Sequence, residues 1–86
     1  MTYTHKNKGV CSVSTEVVLK EDGTIEEVRV LGGCNGNLKG ISSLLIGMKA
    51  EDAINRLQGL KCGSRSTSCP DQIALALREA LGTKQN

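Results

Sequence analysis

The residues with the most chemistry in this 86-residue chain are its four cysteines, Cys11, Cys34, Cys62 and Cys69. Thiolates ligate zinc and iron-sulfur clusters and exchange electrons through disulfides. Cys69 lies in Thr67-Ser68-Cys69-Pro70-Asp71. Proline is favoured at the first helical position, where its missing N–H is no loss, and this makes Cys69 the N-cap of a helix. If Ser68 caps instead, Asp71 falls at the third helical position and can reach back in the manner of a capping box. In either reading the sulfur stands at the positive end of a helix dipole, where thiolates are better nucleophiles and metal ligands. The competing reading is a good helix start with a small side chain packed at its cap.

Cys34 lies in a second motif, Gly33-Cys34-Asn35-Gly36-Asn37, just before another helical stretch. Its glycines permit close backbone approach, and exposed N–H groups at Gly33, Asn35, Gly36 and Asn37 could hold an anion such as a nucleotide phosphate. There is no lysine and hydroxyl pair, so the motif resembles neither a Walker loop nor a dinucleotide fingerprint, and a plain turn explains the same residues. Pairing of the flanking strands would bring Cys11 and Cys34 to one end of a hairpin. A four-cysteine zinc or iron-sulfur site built from Cys11, Cys34, Cys62 and Cys69 follows as a candidate, although no Cys-x-x-Cys pair is present. His5 is a lone histidine in a polar N-terminal segment and reads as a mobile, solvated residue. No Ser-His-Asp or Cys-His context supports a catalytic assignment.

The elements that position these residues follow from periodicity. Cys11, Val13, Thr15, Val17 and Leu19 alternate with Ser12, Ser14, Glu16 and Val18, which predicts a strand. Asp22-Gly23 then turns the chain into a second strand over Ile25–Leu31, with Val28 and Val30 on one face and Ile25, Arg29 and Leu31 on the other. The register of this hairpin stays open. Leu38, Ile41, Leu44, Leu45 and Met48 recur at helical spacing, as do Ala53, Ile54, Leu57 and Leu60 after acidic Glu51 and Asp52. Gly59 suits a left-handed C-terminal position. A last helix carries Ile73, Ala74, Leu77, Ala80 and Leu81 and is expected to stop at Gly82, leaving residues 83–86 as a frayed tail.

The expected fold is therefore α+β: an antiparallel hairpin or small sheet followed by three helices on one face. Two strands make a poor sheet. A third strand from residues 1–10, or strands from a second copy paired through a sheet edge, would complete it. One core must serve the whole chain, and a domain of this size buries only about 60% of its unfolded surface, so a metal or a partner would help it. Tyr3 is the only aromatic residue, and 11 Lys and Arg against 9 Asp and Glu give a formal charge of +2. Without stacking rings or a basic stripe, nucleic-acid binding is disfavoured. No apolar run has the length of a membrane span and no signal peptide is evident, which predicts a cytoplasmic protein.

Together, Gly32-Gly33-Cys34-Asn35-Gly36-Asn37-Leu38 and Thr67-Ser68-Cys69-Pro70-Asp71 resemble the TSCPD domain, named for the second motif, in its stand-alone four-cysteine form. The resemblance covers residues 11–82. Similar domains occur near the C-terminus of vitamin B12-dependent ribonucleoside-diphosphate reductases. It therefore implies an accessory or binding module related to ribonucleotide reductase, with cysteines poised for metal binding or thiol exchange and a reductase or nucleotide as partner. A chain this short has no room for the reductase barrel, so the resemblance does not imply that it is an enzyme alone. The alternative is a structural dimerisation or nucleotide-binding domain whose cysteines are only core and cap residues.

Overall fold

A computed structural model describes residues 1–10, 12–32, 35–60 and 67–85. Strand β1 (Thr2–Lys6) pairs antiparallel with β2 (Ser12–Leu19), and β2 with β3 (Ile25–Gly32), in the order β1-β2-β3. Helices α1 (Asn35–Leu45), α2 (Ala50–Leu57) and α3 (Cys69–Gln85) follow. The α+β class stands, and the N-terminal segment supplies the third strand. β1 alternates as a half-buried strand should, with Tyr3 and His5 turned inward and Thr2, Thr4 and Lys6 exposed.

The hairpin turn is built as its sequence requires. Gly23 has φ +86°, the Gly23 N–H donates to the Lys20 carbonyl, and the Thr24 N–H donates to Asp22 Oδ1. Two irregularities then fix the register. Leu19 faces Ile25 and Val18 faces Glu27, which leaves Glu26 as an extra residue. That bulge lets Ile25 and Val28, three apart, both enter the core, so Ile25 does not lie on the face opposite Val28. At the other end Ser12 faces Gly32 and Ser14 faces Leu31, with Val13 extra. Val13 is consequently exposed, and Ser12, which alternates with it, is buried.

The core joins Val17, Leu19, Ile25 and Val28 of the sheet to Leu45 of α1, Ala50, Ala53 and Ile54 of α2, and Ile73, Ala76, Leu77 and Ala80 of α3. Small alanines let α3 lie close to α2 and the sheet where no aromatic ring fills the space. Gly47 (φ +90°) and Gly59 (φ +83°) stand just beyond the ends of α1 and α2. Helix α3 does not stop at Gly82 but runs on to Gln85, with the Thr83 hydroxyl donating to the Glu79 carbonyl one turn back. Gly82 keeps a negative φ and simply continues the helix, at the modest propensity cost of a glycine. Among the described residues no helix is long and apolar enough to cross a membrane.

Candidate functional site at the start of helix α3

Helix α3 begins at Cys69, and the capping alternatives resolve in favour of Ser68: its Oγ accepts the Asp71 N–H at 3.2 Å. Ser68 also donates to the Leu60 carbonyl at 2.7 Å, which ties the helix start to the segment after α2. Asp71 does not close a capping box on the Ser68 N–H; its carboxylate accepts instead from the Thr67 hydroxyl and, through Oδ1, from the Gly59 N–H at 2.8 Å. Thr67 in turn crowds Gly9, where a Cβ would come within 3.1 Å of the threonine methyl and φ is +73°. Only glycine suits that position.

Cys69 is half-buried, and its Sγ lies 3.2 Å from Ser12 Oγ. Ser12 is held in place by its neighbours. Thr15 Oγ1 donates to Asn7 Oδ1 at 2.9 Å, and Asn7 Nδ2 donates to Ser12 Oγ at 2.8 Å. Between the Ser12 hydroxyl and the Cys69 sulfur either atom can donate. The bulge at Val13 is what turns Ser12 inward for this role.

A second branch of the network runs through His5, which is not solvated: it is 9% exposed and part of β1. Gln72 Oε1 accepts the Lys8 N–H at 3.1 Å, and this orients the amide so that Oε1 also accepts from His5 Nε2 at 2.8 Å. Gln72 Nε2 donates to Thr67 Oγ1 at 2.9 Å. His5 Nδ1 faces Glu79 Oε1 at 3.0 Å, an ion pair when the imidazole is protonated, and Tyr3 donates its hydroxyl to the same oxygen at 2.8 Å. Desolvation pushes the Glu79 carboxyl upward. The hydrogen bonds from Tyr3 and His5, with the charges of His5 and Lys8, outweigh it and hold the group below the usual carboxylate range. The Tyr3 phenol moves up, first through its bond to Glu79. With both ring nitrogens engaged by Gln72 and Glu79, His5 is not placed to act as a base toward Cys69.

Of the residues expected to form a metal site, the structure describes Cys69. Cys11, Cys34 and Cys62 lie outside the described residues, as does Gly33, and the description of Asn35, Gly36 and Asn37 extends only to their backbone in α1. Among the described residues no three His, Cys, Asp or Glu side chains come together as a metal site would require. The roles of Ser12, Asn7 and Gln72 escaped the sequence because they depend on partners far away along the chain. For His5 a signal existed, the alternation of Tyr3 and His5 with threonine and lysine.

No curated protein and no solved structure shows significant similarity to the chain. The TSCPD domain family model matches residues 1–81, from β1 into the last turns of α3. With nearly its whole length matched, including the strand and the helix that hold the Ser12–Cys69 contact, the chain belongs to the TSCPD domain family.

Proposed function

We propose that the start of α3 is a thiolate metal centre in which Cys69 is joined by Cys11, Cys34 and Cys62, in a module that accompanies ribonucleotide reductase. The supporting observation is that each of these three cysteines is tethered, by one or two residues, to a residue at this end of the molecule. Cys11 adjoins Ser12, whose hydroxyl touches the Cys69 sulfur. Cys34 follows two residues after Gly32, the cross-strand partner of Ser12. Cys62 follows two residues after Leu60, whose carbonyl accepts from Ser68. Since each residue extends the chain by at most about 3.8 Å, all four sulfurs are within reach of a common centre. Four thiolates suit tetrahedral zinc, with Zn–S bonds of about 2.3 Å, or an iron-sulfur cluster. The association with a reductase rests on the likeness of the two motifs to the C-terminal domains of the vitamin B12-dependent enzymes.

The test is elemental analysis of protein purified without chelator, together with thiol titration of each single Cys→Ser variant. About one zinc per chain, or iron with cluster absorbance, lost in all four variants, is expected. Metal near zero with four freely titrating thiols would sink the reading.

One observation favours a second reading, a structural or nucleotide-binding domain. Among the described residues every buried side-chain polar atom has a partner, so the network around Cys69 is closed without a ligand. On that reading, replacing Cys34 and Cys69 together by Ser leaves fold and partner binding unchanged, and any anion binds through the backbone at Gly33, Asn35, Gly36 and Asn37.

A further inference from the structure

Among the described residues strand β3 has a neighbouring strand on one side only, and its other side borders a groove of about 460 Å³ shared with α1 and lined in part by Val28, Val30, Leu38 and Ile46. The first residue of this edge is already occupied: Ile25 donates its N–H to the Met48 carbonyl and accepts from the Gly47 N–H. From Glu26 to Val30 no further strand lies on that side among the described residues. An open strand edge of this kind is a template for another strand.

The charges on this edge favour a particular occupant. Glu27 and Arg29 flank Val28 on the outer face, with side chains 42% and 67% exposed. We propose that β3 pairs antiparallel with β3 of a second copy of this chain, about a two-fold axis through Val28, to give a continuous six-stranded sheet. That register sets Glu27 of each copy opposite Arg29 of the other, so two cross-strand ion pairs form. Moving the axis to Glu27 or Arg29 places like charges directly opposite, and moving it to Val30 leaves no charge pair. The Val28 register also confines the ladder to residues 26–30, the stretch beyond the occupied Ile25. In the single chain Arg29 Nε donates to Glu27 at 2.8 Å and Nη1 lies 3.9 Å from Glu16, exposed pairs that exchange readily for contacts across the axis.

Sedimentation velocity of the full chain over a concentration series tests this, with circular dichroism to show that each variant is folded. The wild type is expected to associate as a dimer. Glu27→Arg and Arg29→Glu each put two like-charge pairs across the axis and should weaken the dimer roughly 10- to 100-fold. The double swap E27R/R29E restores both pairs. An equimolar mixture of the two single variants regains the dimer as well, because every cross-axis contact is then of opposite sign. A wild type that stays monomeric would leave the edge to a strand of a different protein and overturn the proposal. Single variants that associate like the wild type, or a mixture that remains monomeric, would overturn it equally. Metal content does not enter these readouts, so the metal centre and the sheet edge stand or fall separately.

Discussion

The inner face of the sheet changes character along its length, and β2 carries both halves. Toward the hairpin turn, Val17 and Leu19 meet Ile25, Ala53, Leu77 and Ala80 in a core without polar atoms on its side chains. Toward the start of α3, Thr15 and Ser12 on the same strand bond Asn7, Ser12 meets Cys69, and Gln72 bonds Thr67. The apolar half is non-directional and holds through area and fit. The polar half is directional: each donor fixes the orientation of the next group, from the Lys8 N–H through the Gln72 amide to Thr67 and Asp71. A small domain thus uses one half of its interior for stability and the other to hold a few polar atoms in defined places.

Truncation should separate the halves. Leu77 is fully buried at the centre of the apolar cluster, so Leu77→Ala should cost about 2–5 kcal/mol in urea unfolding, enough to leave a marginal fold partly unfolded. In the polar half Gln72→Ala removes the partner of His5 Nε2 and of the Lys8 N–H and one of the two partners of the Thr67 hydroxyl, while His5 Nδ1 keeps Glu79 and Thr67 keeps Asp71, and about 1–3 kcal/mol is expected by the same measurement. A Gln72 variant as stable as the wild type would show that water replaces the amide and that the network is not what orders this end.

The smallest effect concerns pH. Glu79 titrates below its ordinary value of 4.5 in the folded state. A depressed carboxyl adds stability above its unfolded value, and that contribution is lost as pH falls through the folded value. Unfolding curves collected from pH near 4.5 downward should therefore decline less steeply for Glu79→Gln than for the wild type. The difference will be modest, because the Glu79 side chain is 41% exposed and solvent screens the pair.

Local chemistry in the sequence was enough for the hairpin, the Asp22-Gly23 turn, the helix end at Gly59, and the helix start at Ser68-Cys69. Each depends on residues a few positions apart. The two bulges were hidden, because alternation is a statement about regular strands and Val13 and Glu26 break it by one residue each. Gly82 misled for the opposite reason: a glycine near a helix end signals termination only when it takes a positive φ, and this one does not. The polar half stayed out of sight because its partners are joined by folding alone. No periodicity announces that His5 will meet Gln72 and Glu79.

The separation of those partners also bears on the order of assembly. The bonds from Lys8 to Gln72, from His5 to Gln72 and Glu79, and from Tyr3 to Glu79 span 64 to 76 residues. Loop-closure entropy grows as (3/2)RT ln n, so closing about 64 residues costs roughly 2–3 kcal/mol more than closing the four or five of the β2–β3 turn. The clasp between the first strand and the last helix is thus the hardest part of the molecule to form early. The hairpin can precede it, and the Cys69 environment is complete only once the two distant stretches of chain have met.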